Sequence, residues 1–132
     1  MNNKEGWKVD FLDEICEVNY GTRVVNSQVT GGEYFVYGGG GATFTIDKFN
    51  RENCLVIARF AMSKQCVRFV KGKFFLNDSG LSLTVKKPEG LKDSFLNYQM
   101  FWLNDTIYNS SKGAAQKNLD VPSFRKLKLV IP

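Results

Sequence analysis

Histidine is absent from the chain. That removes the Ser-His-Asp and Cys-His nucleophiles, the histidine general base and the usual nitrogen ligand of catalytic metals. Cysteine is scarce: Cys16, Cys54 and Cys66 are odd in number and far apart, which suits neither a disulfide framework nor a zinc site, so they are expected to be buried, reduced thiols. No Asp or Glu is followed two positions later by Lys, the arrangement with which a metal-dependent nuclease would hold Mg²⁺ beside the attacked phosphate. The acid pair Asp13 and Glu17 reads as a solvated helix face. These absences exclude a large share of small hydrolases, and no catalytic residue, metal site or cofactor is singled out. No run approaches the roughly 20 apolar residues that a membrane helix needs. The opening MNNKEGWKVD lacks the apolar core of a signal peptide, and a cytoplasmic protein is expected, with no membrane partner.

What is present is core material. The 132 residues are 43% hydrophobic and 14% aromatic, enough for one globular domain and too few residues for a second, cofactor-binding one. A single domain over 1–132 is expected, with Trp7, Trp102 and the phenylalanines in its core. Positive charge is present too, and it is unevenly placed. Residues 1–20 carry two lysines against five acids, whereas 59–73 hold Arg59, Lys64, Arg68, Lys71 and Lys73 with no acid. The stretch 111–132 adds Lys112, Lys117, Arg125, Lys126 and Lys128 against Asp120 alone. Two basic blocks in a chain of net charge +5 suit a polyanion, although each is equally a solvated strand face.

The spacing of Phe11, Leu12, Ile15 and Val18, with Asp10 before and Gly21 after, predicts a short first helix. EYFVY reads as a strand running into the glycines 38–41, and CLVIARF (54–60) as a strand buried on both faces. CVRFV, Lys71-Gly72 and KFFLN read as a hairpin, LSLTVK (81–86) as a further strand, and Asn77 and Asp78 as turn caps. An apolar stripe of helical period through Leu91, Phe95, Tyr98 and Trp102 predicts the main helix, started by Asp93 or Ser94. A turn at Pro122 and a last strand from Lys126 to Ile131 complete the order. Mixed rather than alternating elements imply an α+β fold, a mainly antiparallel curved sheet with two flanking helices. The glycine run lacks the Gly-Lys-Ser/Thr ending of a P-loop, being followed by Ala42, Thr43 and Phe44. Its use is positive φ and close backbone approach, in a structural turn or a ligand-facing loop.

Several segments, in order, resemble the target-recognition domain of Type I restriction-modification specificity subunits. Gly6-Trp7-Lys8-Val9 with Leu12 to Glu17 and Gly21 is similar to the family's opening segment. Tyr34 to Gly41 resembles its aromatic, glycine-ended segment, with Phe35 where proline is commoner. Leu55 to Arg59 corresponds to its apolar strand ending in arginine, with Ala61 where glycine is usual. Phe74 to Asp78, Phe95 to Tyr98, Lys112 to Leu119 and Leu127 to Pro132 follow in register. The match runs from Trp7 to Pro132, and the resemblance implies the target-recognition type of fold.

The resemblance also implies a function: reading one half-site of double-stranded DNA so that a partner methyltransferase (modification) subunit methylates adenine and a partner restriction subunit is licensed. It implies too that the chain is a non-enzyme, the catalytic work belonging to those partners. In the family a long spacer helix follows this domain, so the chain is expected to be half a specificity subunit without its spacer, and a monomer. Phosphate contacts are expected from Lys64, Lys71, Lys73, Lys112 and Lys117, and from Arg59 to guanine or phosphate unless it is buried against an acid such as Asp78. Gln116 is placed to pair with adenine. Tyr37, Gly39, Gly40 and Thr43 form the glycine-turn contact, Tyr37 having a core role as its alternative. Three rivals stand beside this reading. One is a nonspecific single-stranded nucleic-acid binder stacking bases on RFVKGKFF, another a module for a glycan or protein. The third is a recognition domain of a single-chain adenine methyltransferase.

Overall fold

Strand pairing, not helical spacing, governs most of residues 8–20. The computed structural model describes residues 8–25, 31–87, 91–113 and 116–131. In it, strand β1 (Lys8–Phe11) leads into a single helical turn, α1 (Leu12–Ile15), and then strand β2 (Cys16–Tyr20). The expected first helix is thus one turn long. Leu12 and Ile15 point into the core, while the backbone of 16–20 is claimed by cross-strand pairing from Cys16↔Val85 to Tyr20↔Leu81. Asp10 caps only locally, its Oδ1 accepting the Phe11 amide at 2.9 Å, and Glu17 lies on a strand, so it shares no helix face with Asp13.

The next elements are β3 (Tyr34–Gly38), β4 (Gly41–Ile46), β5 (Arg51–Ala58), β6 (Val67–Leu76) and β7 (Gly80–Val85). They join β2 in a six-stranded sheet of order β2-β7-β5-β6-β3-β4, antiparallel throughout except where β3 runs parallel to β6. β1 pairs separately with β8 (Lys128–Ile131). Three helices follow the sheet: α2 (Asp93–Trp102), α3 (Asn104–Asn109) and α4 (Val121–Arg125). The α+β class and the mainly antiparallel sheet agree with expectation. Helix α2 has Lys92, not Asp93 or Ser94, at its N-cap, with no side-chain cap, and Pro122 opens α4 instead of forming a plain turn, its missing N–H costing nothing in a first helical turn.

Lys71-Gly72 does not turn a hairpin. β6 is one continuous strand of ten residues, bent where Gly72 takes φ +84° opposite a bulge at Asn53, itself at φ +48°. The Gly72 amide donates to Asn53 Oδ1 across the bend. Bulges of this kind sharpen twist and curl a sheet. The curl brings the far end of β6 back toward β2 and β7: Thr22 N donates to the Leu76 carbonyl at 2.9 Å, and Gly21 N to the Gly80 carbonyl at 3.1 Å.

The curled sheet separates its apolar residues. Leu55, Ile57, Leu81, Leu83 and Val67 face Leu12, Leu96, Met100, Ile107 and Phe124 in the main core. Val56, Val70, Phe74 and Leu76 form a second cluster on the opposite face, with Tyr37 packed against it. The β5 run Leu55–Ala58 is buried on both faces, as its unbroken apolar sequence requires.

The expected aromatic core is only partly realised. Phe74, Phe75 and Phe124 are buried, but Phe11, Phe35, Phe49, Phe60, Phe69 and Phe101 are exposed, and Trp102 is 79% exposed. On α2 only Leu96 and Met100 are buried, because a single helix face meets the sheet and Tyr98 and Trp102 lie off it. Trp7 lies outside the described residues. Cys16 and Cys66 are buried and Cys54 is partly so, all as free thiols. Burial pushes Cys16 up to about 12 and Cys66 to about 11, so both are protonated thiols at neutral pH. No helix among the described residues is long and apolar enough to cross a membrane.

Candidate nucleic-acid interface

Four loops converge at the end of the sheet where β5 finishes and β7 begins. They are the glycine turn 38–41, the loop 59–66, the turn 77–80 and the described residues 111–113 and 116–119. Each is tied to another by hydrogen bonds. Gly39 N donates to Ser79 Oγ at 3.4 Å, and Arg59 N to the Ser79 carbonyl at 2.9 Å. Leu119 N donates to the Arg59 carbonyl and Met62 N to the Lys117 carbonyl, both at 2.8 Å. Asn118 Oδ1 accepts the Ala61 amide at 3.2 Å, and the Asn118 backbone bridges to Lys112. The turn 77–80 is held by Asn77 Oδ1, which accepts from Ser79 N and Ser79 Oγ. That is the capping role expected of Asn77.

Within the glycine turn the residues do different things. A Cβ at Gly39 would lie 2.6 Å from the Ala58 Cβ, so only glycine permits this approach of the turn to β5. Gly39 is buried for that reason. Gly40 is exposed, and a Cβ there would meet nothing within 4 Å. Tyr37 is half-buried, its ring edge-on to Phe74 at 5.2 Å, which matches the core alternative. Thr43 is exposed on β4, its hydroxyl donating to the Val36 carbonyl at 3.2 Å.

Arg59 is heavily engaged. Its Nη1 donates to the backbone carbonyl of Asp78 at 2.7 Å, and its guanidinium carbon lies 4.2 Å from the Tyr20 ring centre and 4.6 Å from that of Phe60. The partner on Asp78 is the main chain, not the carboxylate. Arg59 Nε is buried without a hydrogen-bond partner. Lys64, Lys112 and Gln116 are exposed, and Lys117 is half-buried. Lys112 Nζ stands 4.0 Å from Asp120.

Thus Gly39, Gly40, Arg59, Lys112, Gln116 and Lys117 come together, with Lys64 on the same loop as Arg59 and with Tyr37 and Thr43 flanking the glycines. Lys71 and Lys73 do not join them. Both lie at the β6 bend, where Lys73 sits 4.9 Å from the centre of the Phe49 ring. Phe74 and Phe75 are buried, which removes them from a stacking platform on RFVKGKFF.

Sequence reasoning passed over Arg68, Tyr20, Phe60 and Asn118. Arg68 reaches the glycine turn, its Nε 3.5 Å from the Gly39 carbonyl. Tyr20 and Phe60 form the two aromatic walls of Arg59. Asn118, beside the predicted Lys117, had a signal in its type, since Asn commonly bonds to loop backbone. Among the described residues the ion pairs are Lys112–Asp120 and Lys126–Asp13, so the basic block 59–73 meets no carboxylate there. No three His, Cys, Asp or Glu side chains gather among the described residues as a metal site would require.

The stitched loops thus bring Arg59, Lys64, Lys112 and Lys117 to one end of the sheet. The profile of one family, the Type I restriction modification DNA specificity domain, matches residues 4–132. The chain belongs to this family. Members are DNA-specificity components of restriction-modification systems, not catalysts. No curated protein matches the chain. Among solved structures, the S subunit of a Type-I restriction-modification system from M. genitalium aligns with a TM-score of 0.84 at 22% identity, over 98% of this chain and 35% of that one. The HsdS subunit from Thermoanaerobacter tengcongensis gives 0.73 at 12% identity, over 100% and 34%. A chain from a structure of complex assembly and conformational transition of the type I R-M system gives 0.76 at 13% identity, over 100% and 35%. At these identities the likeness is one of fold, and the specificity-domain chain spans about a third of the length of each.

Proposed function

We propose that this specificity domain, a single target-recognition unit over 1–132, reads one half-site of double-stranded DNA. Through it a partner methyltransferase subunit and a restriction subunit are directed to that site, in the cytoplasm. The observation that carries the reading is the family match over nearly the whole chain, and the convergence of the predicted basic and polar loops at one end of the sheet gives it a face. Lys64, Lys112 and Lys117 contact phosphates there and set register, while Gln116 faces a base edge. Gly40 and Thr43 line the approach, with Gly39 and Tyr37 shaping the turn behind them. Lys71 and Lys73, away from this face, contact flanking phosphates.

Arg59 supplies positive potential, and its hydrogen bond and aromatic walls hold it in place. Base reading by rigidly held groups needs no reorganisation on binding, which lowers the cost of association.

The test is selection from a pool of random duplexes at low salt, followed by a salt titration on the enriched sequence. Enrichment of one motif of a few base pairs, with affinity falling steeply as salt rises, is the expected result. Salt-sensitive binding with no enriched motif contradicts half-site reading, and equal or tighter binding to single strands favours a stacking binder instead.

A further inference from the structure

We infer that Arg68 and the bare rim of the glycine turn form a clamp for one DNA backbone phosphate. The inference rests on the DNA-reading function proposed above and adds to it a residue and a chemical role.

The pairing Val56↔Arg68 places Arg68 on the sheet face that carries Val56 and Val70, the face of the second apolar cluster. Arg68 lies at the end of that cluster, beside the glycine turn. Its guanidinium carbon is 3.9 Å from where a Cβ on residue 41 would stand, and its Nε makes one long hydrogen bond, 3.5 Å, to the Gly39 carbonyl. A guanidinium has five N–H donors. Among the described residues no carboxylate pairs with Arg68, so most of that donor capacity is left to solvent or a ligand. Arg59 is the contrast, with a 2.7 Å bond to a carbonyl and an aromatic ring on each of two sides.

The rim beside Arg68 is unusually clear. Packing requires glycine at 39, but at 40 a Cβ would meet nothing within 4 Å and the residue is exposed. A bare, exposed Gly40 next to a guanidinium that no carboxylate among the described residues neutralises admits a tetrahedral anion at close range. The planar fork matches two phosphate oxygens at once. Arg68 is half-buried on a strand and leans on a main-chain carbonyl, a short reach suited to the rim of a duplex and not to base edges deep in a groove. The ligand is therefore the phosphodiester, and the contact is indifferent to sequence.

The experiment uses the full chain and the duplex it selects, comparing Arg68→Gln, Arg68→Lys and wild type by binding titration over salt. Arg68→Gln is expected to bind roughly five- to tenfold more weakly near physiological salt, with the salt slope reduced by about one and the selected motif unchanged. Arg68→Lys is expected to keep the slope. A scan of duplexes with single neutral methylphosphonates should show one position that weakens wild type and leaves Arg68→Gln unaffected. Gly40→Asp, at an open surface position, is a second probe that does not depend on the arginine substitution folding: repulsion of the phosphate should weaken binding at least as much. Wild-type affinity and slope in both Arg68→Gln and Gly40→Asp would overturn the clamp, as would a change of motif at one base pair in Arg68→Gln. If wild type selects a motif and these variants match it, the clamp alone fails. If wild type binds no DNA, the clamp fails together with the function on which it rests.

Discussion

Arg59 and Arg68 stand at the same end of the sheet, carry the same charge and belong to the same basic block, yet the fold treats them oppositely. Around Arg59 the backbone is bonded on one side to Ser79 and on the other to Leu119, and the guanidinium is gripped by a carbonyl and two rings. Around Arg68 there is one long hydrogen bond and an open glycine rim. A residue's charge shows what it attracts. Only the donors that the fold leaves unused show what is available to a partner. The braced junction builds the platform, and the open rim carries the donors left for the proposed phosphate.

The sharpest way to break this division is within the glycine turn. Gly39→Val would drive a branched side chain against the Ala58 Cβ, 2.6 Å from the Cβ position, and is expected to cost more than about 3 kcal/mol in urea unfolding. Gly40→Ala should stay within about 0.5 kcal/mol of wild type. Comparable losses at the two positions would contradict the assignment of one to packing and the other to the surface.

Next is the brace. Arg59→Ala leaves the Asp78 carbonyl without its donor and removes two cation–aromatic contacts, an expected loss of about 2 kcal/mol, discounted for partial exposure. Arg68→Ala should cost less than about 0.5 kcal/mol in the same assay. Equal stability losses would mean that Arg68 is a strut too.

A smaller effect, opposite in sign, is expected at Ala61. It sits at φ +48° in the loop stitched to Asn118, a conformation that strains any residue with a Cβ. Ala61→Gly is expected to raise stability by up to about 1 kcal/mol, the strain relief being partly offset by the freer unfolded chain. The melting temperature reads this directly, and a fall would show that the loop is unstrained.

The smallest is a pH effect far from the loops. Cys16 titrates near 9.0 when unfolded and is pushed up to about 12 by burial in the fold. Between those values the native state binds more protons than the unfolded state, so stability is full below pH 9 and falls as pH rises toward 12. Cys16→Val should lessen that alkaline decline, which the buried Cys66 shares, by under about 1 kcal/mol across pH 8.5 to 9.5, as measured by urea midpoints. An unchanged decline would assign it to other groups.

Much of the fold could be read from local pattern, and the failures share a cause. Leu55–Ala58 was recognisable as a doubly buried strand by its short, unbroken and β-branched apolar run, and Leu81–Val85 as a strand by apolar residues that alternate with Ser82 and Thr84. Lys71-Gly72 reads locally as a hairpin turn, but Gly72 answers Asn53 on a neighbouring strand, and no local pattern contains that pairing. Tyr98 and Trp102 extend an apolar stripe that looks like core, yet the sheet covers only the side of α2 that holds Leu96 and Met100. The site divides in the same way. The basic loops and the glycine turn announced themselves by residue type and spacing. Arg68 sits mid-strand and meets Gly39 only through sheet register, and Tyr20 and Phe60 gain a role only once Arg59 is seen between them.

Amide chemical-shift changes, followed as the labelled protein is titrated with its selected duplex, map the DNA-facing surface. The largest changes are expected in residues 38–43, 59–68, 77–80, 111–113 and 116–119, with little change on α2 around Tyr98 and Trp102. Changes centred on that exposed aromatic face, with the four loops unmoved, would contradict the assignment of DNA reading to those loops.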